Sequence, residues 1–361
     1  MKRALIGILL GIAIAIATLC VLEGSASAFL FLRDYRSASG SKTLIRPYTT
    51  HDTLLGWVDR PSFTSPDEYG KGIGLTTTSR AVRGNGSSES DSATKRAGLV
   101  CSGDSYTLGV GVSDDHTWCA LLGKTLGDLT YNMGQVDYGL DQSILRYQRD
   151  GALVPHQTQI LGITNTALER MTTANIGGRL KPTLAVEGGT LVRRNVPVPE
   201  TTMQTLRAAN RNRLKHELRI VHAYDVNMEV DGHTRDAERI DGEWTLVEHA
   251  LDDLARAHKA RGTRLLVVYL PMKRDLKPSY TDERRKKLAA FAQQRGIEFL
   301  DLTLPMRTMR ADSLDLAFIS RIPRGAAPGV GNQYSDLGHV WVATKIAAQF
   351  KPGSPRELPR H

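Results

Sequence analysis

Leu99-Val100-Cys101-Ser102-Gly103-Asp104-Ser105-Tyr106-Thr107-Leu108-Gly109 changes character half way along. Its first part, Gly98 to Cys101, is a short apolar run that follows a loop rich in Ser, Gly and charge, Arg83 to Ala97. That contrast reads as a buried strand emerging from a flexible segment. Its second part is a glycine-rich turn that carries Ser105 toward a helix. In an open α/β sheet, ligands bind outside the carboxyl ends of the strands, which is where this serine falls.

Outward from that point, short apolar runs alternate with helical patterns. A helix over His116 to Leu126 leads to a strand over Leu129 to Asn132, and a helix near Gln142 to Arg149 leads to a strand over Thr158 to Ile163. Further on come a strand from Arg264 to Leu270, a charged helix from Thr281 to Arg295, a strand from Ile297 to Leu302 and a last helix from about Val340 to Phe350. This alternation predicts a parallel sheet covered by helices on both faces. Residues 179–243 break the rhythm. Glu187-Gly188-Gly189 between two apolar runs predicts a β-hairpin, and an amphipathic stretch follows over Leu206 to Val221. The segment reads as an insertion that either shapes a site or is a structural excursion.

A serine hydroxyl needs a base within hydrogen-bond reach and a third group to orient that base. Candidates stand in Tyr334-Ser335-Asp336-Leu337-Gly338-His339, just before the last helix. A spacing of three puts Asp336 and His339 on one side of a turn, so the carboxylate could hold one imidazole nitrogen while the other faces Ser105. Gly338 would free the turn's backbone angles. The competing reading is that Asp336 and His339 belong to the cap of the following helix.

Two more segments follow the expected order. The strand from Leu129 to Asn132 runs into Met133-Gly134-Gln135-Val136-Asp137-Tyr138-Gly139, and the strand ending at Ile163 runs into Thr164-Asn165-Thr166. Together these elements resemble the SGNH/GDSL hydrolases over roughly Gly98 to Phe350. Gly103-Asp104-Ser105 resembles their nucleophile motif, Asp336-x-x-His339 their acid and base, and Asn165 their oxyanion asparagine. Their oxyanion glycine falls on Asp137, with Gly134 the alternative donor, and Thr166 stands where aspartate is common. The chain also resembles a bacterial subgroup with an N-terminal membrane span and a Leu-Gly-Trp segment, here Leu55-Gly56-Trp57. The resemblance implies a three-layer parallel sheet flanked by helices, the flavodoxin-like SGNH fold, with a small β-hairpin and helix insertion. It implies serine-dependent hydrolysis of acyl esters of carbohydrates or small molecules. O-acyl transfer to an envelope polysaccharide and a non-catalytic binding role are the alternatives. Neither a metal nor an organic cofactor is expected. The oxyanion donors would be Ser105, Asp137 or Gly134, and Asn165.

The 361 residues are 41% hydrophobic and 24% charged, an ordinary globular composition. A formal charge of +9 alone is compatible with nucleic acid, but the cations are interleaved with acids and no such partner is expected. Lys2 and Arg3 precede an uncharged run from Ala4 to Leu22, about 28 Å long as a helix, which predicts a cytoplasmic N-terminus and an exported remainder. Residues 1–28 are either a retained anchor or a signal peptide cleaved after Ala26-Ser27-Ala28. Residues 29–96 read as juxtamembrane stalk and loop, 97–352 as the hydrolase-like domain and 353–361 as a disordered tail. Cys101 and Cys119 could pair in an oxidising compartment or remain two buried thiols.

Other motifs fail. Gly123-Lys124-Thr125 lacks the first glycine of a phosphate loop because Trp118 occupies it, and Gly109 and Gly111 lack a third glycine. His216, His222 and His233 have no zinc spacing.

Overall fold

The computed structural model describes residues 2–39, 46–85, 97–176, 179–202, 232–277, 281–327 and 329–350. Its regular elements are α1 (Lys2–Ser39), β1 (Thr49–Asp52), β2 (Gly56–Asp59), β3 (Thr64–Ser65), β4 (Leu75–Thr76), β5 (Ala97–Gly103), α2 (Ser105–Leu108), α3 (Trp118–Leu126) and β6 (Leu129–Gly134). After these come α4 (Leu140–Arg149), β7 (Thr158–Ile163), α5 (Asn165–Glu169), β8 (Asn175–Ile176), β9 (Arg179–Leu180), β10 (Thr183–Glu187) and β11 (Thr190–Arg194). The chain continues through α6 (Gly232–Arg261), β12 (Arg264–Tyr269), α7 (Thr281–Arg295), β13 (Glu298–Asp301), α8 (Thr303–Arg307), α9 (Ala311–Leu316) and α10 (Asp336–Ala347). Two compact units result, one of residues 1–45, 177–179 and 201–240, the other of the rest.

Five parallel strands form the main sheet in the order β6-β5-β7-β12-β13. Counted along the chain this is 2-1-3-4-5, the flavodoxin-like doubly wound order. The strands read as continuous apolar runs because both faces are covered. Val100, Leu161, Val267 and Tyr269 pack on one face against α4, α6 and α7 through Ile144, Leu251 and Phe291. Their neighbours Leu99, Cys101, Ile160, Leu266 and Val268 point the other way, against Trp118 and Leu122 of α3 and Val342 and Ile346 of α10. The alternation is the period of two that a strand imposes, and it creates two cores and three layers.

The stalk-and-loop reading of residues 29–96 is corrected for residues 46–85. Strands β1 and β2 pair as an antiparallel hairpin whose side chains lock onto the chain after β6. Trp57 Nε1 donates to the Val136 carbonyl at 3.0 Å, and Gln142 Nε2 donates to the Leu55 carbonyl at 2.7 Å. Gln135 closes a reciprocal pair with Asp59, accepting from its backbone N–H and donating to its carboxylate. These strands, two to four residues long with few apolar positions, escaped sequence reading because the contacts that fix the hairpin on the sheet come from side chains far away in sequence. Residues 86–96 lie outside the described residues.

The hairpin of the insertion forms as expected, β10 against β11, with Gly188 and Gly189 at φ of 56° and 77°. Two consecutive positive φ values define the tight turn that suits the twist of flanking strands, and glycine reaches them without strain. Helix α6 begins inside the span assigned to the insertion and was not anticipated. The stretch 206–221 and the tail 353–361 lie outside the described residues. Helix α1 contains one segment, Arg3–Phe29, long and apolar enough to cross a membrane, with mean hydropathy 2.9. Cys101 and Cys119 form a disulfide, joining β5 to α3.

Candidate functional site

Strand β5 ends on Gly103, whose φ of 155° and surroundings exclude a side chain: a Cβ there would meet Thr107 Oγ1 at 2.2 Å and the Gly162 carbonyl at 2.6 Å. Asp104 then caps α2, its Oδ1 accepting from the Tyr106 N–H at 2.9 Å. Its other oxygen accepts from Thr164 Oγ1 at 2.6 Å, on the segment that follows β7. Burial pushes the Asp104 carboxyl pKa up, while the Thr164 hydrogen bond, the Arg170 charge and the Tyr106 hydrogen bond pull against that rise. One carboxylate thus ties together the carboxyl ends of β5 and β7, where the strand order reverses. Ser105 opens α2 at this switch point, half-buried.

Asn165 is brought to the same edge, fully buried as the first residue of α5. Its Nδ2 donates to Glu169 Oε1 at 2.8 Å, and its Oδ1 is buried without a hydrogen-bond partner. Glu169 in turn accepts from Arg274 at 3.1 Å. One of the two amide N–H donors is thus held by a carboxylate, which leaves the second for the site.

Asp137 sits at φ 63°, a left-handed conformation that explains why glycine is favoured at such a position. Its carboxylate is 3.3 Å from Arg170 Nη2, which answers the charge it would otherwise direct at the site. Gly134 is corrected as the alternative donor. Its N–H donates to Asn132 Oδ1 at 3.0 Å, and a Cβ there would strike the Leu108 backbone nitrogen at 2.1 Å, so it is a packing glycine inside β6.

The largest correction concerns Asp336 and His339. Helix α10 starts at Asp336, four residues before the expected Val340, because Ser335 caps it by accepting from the Gly338 N–H at 3.2 Å. Asp336 and His339 accordingly lie in a helical first turn. The Asp336 side chain is 64% exposed and accepts from His116 Nδ1 at 2.9 Å. His339 is buried, and its Nδ1 accepts the backbone N–H of Trp118 at 3.0 Å. Trp118 is the first residue of α3, and the first N–H groups of a helix have no internal partner. His339 supplies one. Burial, with the charges of Arg83 and His116, pushes the His339 pKa down to about 3. A neutral ring whose Nδ1 accepts must carry its proton on Nε2, so it can neither be oriented by Asp336 through Nδ1 nor take a proton from Ser105 through Nε2. Gly338 does not loosen the turn either: it is helical, and a Cβ would meet the Ala317 carbonyl at 2.2 Å.

The side chain that reaches Ser105 is Gln333, whose Nε2 donates to Ser105 Oγ at 3.3 Å. Gln333 Oε1 is buried without a partner. Gln333 was missed because a carboxamide carries no catalytic signature. The available signal was Ser335 followed by an acid and an apolar helix, which marks residues just before 335 as the loop facing the sheet edge.

A cleft of about 740 Å³ opens along the ends of β7 and β12, with Tyr106, the residue after Ser105, and Thr166, Met272, Arg274 and Asn332 among its walls. Among the described residues no cluster of three or more His, Cys, Asp or Glu side chains is arranged to hold a metal.

Doubly wound sheet order, a serine at the switch point and helices on both faces define a three-layer α/β protein of the flavodoxin-like class to which the SGNH fold belongs. No protein-family profile and no curated protein sequence matches the chain. Solved structures with a similar fold include a member of the lipolytic protein G-D-S-L family from Veillonella parvula, at 11% identity and TM-score 0.37, covering 70% of this chain and 98% of that one. A lipase/acylhydrolase from Enterococcus faecalis matches at 12% identity and TM-score 0.36, covering 70% and 95%. An acetyl xylan esterase matches at 12% identity and TM-score 0.37, covering 70% and 99%. These are hydrolases and esterases by description. Likeness at this level concerns fold, and the chemistry below is argued from the chain's own side chains.

Proposed function

We propose that this chain is an exported, membrane-tethered protein of SGNH-type fold that binds an acyl-ester or carbohydrate ligand at the switch point and does not turn it over through Ser105. The observation that carries this reading is the contact between Gln333 and Ser105. A carboxamide in either orientation holds the hydroxyl by a hydrogen bond but cannot accept its proton, so the side chain that contacts Ser105 Oγ among the described residues supplies no general base. Val330, three residues earlier, where the Asp-x-x-His spacing would put an acid for a base at 333, is buried and apolar. Export is supported by the disulfide between Cys101 and Cys119, which persists in oxidising compartments, together with the apolar segment Arg3–Phe29.

Ester hydrolysis is the second reading, favoured by the convergence of Ser105 and Asn165 on one sheet edge through the bond between Asp104 and Thr164. In it Ser105 Oγ would attack the ester carbonyl as a base other than Gln333 takes its proton, the oxyanion met by backbone N–H groups would collapse with loss of the alcohol, and water would release the acid from the acyl-serine. Transfer to a polysaccharide hydroxyl needs the same activated serine. A fluorophosphonate probe separates the two readings. Treatment of the full chain followed by mass spectrometry should leave the Ser105 peptide unmodified, and a stoichiometric adduct on Ser105 would overturn the binding-only reading.

A further inference from the structure

The cleft lined by Tyr106 differs in character from the switch point it adjoins. Tyr106, Met272, Leu276 and Leu314 give it an apolar floor. The charged side chains on its walls are Lys273, Arg274, Lys277 and Asp315, three cations and one carboxylate. Asp315 stands 3.9 Å from Lys273 on an exposed rim, where an ion pair is worth little. Two further carboxylates lie behind the wall. Glu169 takes one edge of Arg274, and buried Asp275, one oxygen accepting from the Met272 N–H, brings its other oxygen to 4.0 Å from Arg274 Nε. With Arg274 held by its two carboxylates, the charges a ligand meets at the mouth are the ammonium groups of Lys273 and Lys277, and inside it meets hydrocarbon. Arg274 also donates to Thr166 Oγ1 at 3.0 Å, and the run Arg274 to Glu169 to Asn165 connects the cleft wall with the switch point.

We propose that this cleft binds an aliphatic carboxylate, with the acyl chain over Tyr106, Met272, Leu276 and Leu314 and the anionic end against Lys273 and Lys277. The assignment rests on the reading of this region as a ligand site and adds the chemical class of the ligand. A volume of about 740 Å³ accommodates a ligand of that kind, since small-molecule pockets span about 300 to 1,000 Å³. The apolar floor supplies affinity through area removed from water, and the cationic mouth discriminates an anion from a neutral head group.

The test uses the full chain in lipid nanodiscs and two photoreactive probes of equal tail length, a diazirine-bearing decanoate and a diazirine-bearing decyl glucoside, with adducts mapped by mass spectrometry. Decanoate should label peptides containing Tyr106, Met272, Leu276 or Leu314, and the glucoside should label them about tenfold less. Lys273→Glu with Lys277→Glu should cut decanoate labelling about tenfold and leave the glucoside unchanged, a size expected from several rim charges acting together. Both side chains are on the rim, and an unchanged melting temperature shows that the variant is folded. Equal labelling by the two probes, adducts elsewhere only, or no adduct at all would each overturn the assignment. The fluorophosphonate result is independent: a Ser105 adduct would remove the binding-only reading while leaving the decanoate result intact.

Discussion

The loop after β5 and the first turn of α10 both display residue types that serine hydrolysis uses, and the fold treats them differently. At the first, Gly103, Asp104 and Ser105 are held at a sheet edge by a bond that crosses to Thr164, and the serine remains half-buried and accessible. At the second, Asp336 and His339 are absorbed into helix termini, Asp336 in the first turn of α10 and His339 as the acceptor for the leading N–H of α3. A residue near a helix start has two competing uses, capping and chemistry. Register decides between them. Because Ser335 starts the helix, the segment that faces Ser105 is the one before it, and Gln333 stands there.

The contrast breaks most visibly at His339. His339→Ala removes a buried ring and leaves the Trp118 N–H without a partner, so unfolding free energy measured in denaturant should fall by about 3 to 5 kcal/mol. A loss under about 1 kcal/mol would mean that the ring is not structural. The pH dependence has a definite sign. The folded pKa of about 3 lies below the ordinary value of 6.5, so the ring's contribution is whole above 6.5 and is lost as pH falls from there toward 3. His258 shares that direction, pushed down to about 4 by burial and by the charges of His156 and Arg261, so the difference between wild type and His339→Gln isolates the first. A wild-type slope unchanged in that variant would refute the assignment.

Gln333→His sharpens the same contrast from the other side. An imidazole at 3.3 Å from Ser105 Oγ would supply the missing base, and a positioned base contributes about a hundredfold or more. Fluorophosphonate labelling of Ser105 should rise by about that factor. It should stay below that of a full triad, because Val330 cannot orient the new ring. No rise in a folded variant would show that Ser105 Oγ is out of reach of any side chain at 333.

Sheet and site were unequally legible. Strand β7 and helix α7 have the bounds read from sequence: β7 is a run buried on both faces, and α7 is a charged helical stretch bounded by Thr281 and by Gly296. The serine and asparagine could be placed because a residue that ends a parallel strand has one possible location. The base could not. Asp336 and His339 have the right chemistry and spacing, and only the capping of α10 by Ser335 and of α3 by His339 shows them to be structural. The platform over residues 46–85 was illegible for a related reason: Trp57, Asp59 and Leu55 are fixed by Val136, Gln135 and Gln142, contacts between segments far apart in sequence.

Thr164→Val tests the switch-point side of the comparison. The substitution removes the hydrogen bond to the buried Asp104 carboxylate and the cap that Thr164 places on Ala167, so stability should fall by about 2 to 3 kcal/mol, and Thr164→Ser should restore most of it. Thermal melts of the three proteins decide it, and equal losses for Val and Ser would show that packing and not the hydroxyl matters.

Asp336→Ala is expected to do least. The carboxylate is largely exposed, its partner His116 is half exposed, and an acid in the first turn of a helix contributes about 0.3 to 1 kcal/mol. Stability should therefore drop by less than about 1 kcal/mol and Ser105 reactivity should not change. If Asp336 were the acid of a working triad, the same substitution would leave the fold intact and depress turnover by orders of magnitude. The two readings thus make opposite claims about one exposed side chain, and a chromogenic acetyl ester assayed with the Gln333→His background in parallel discriminates them: activity in that background that survives Asp336→Ala places the functional loop before Ser335.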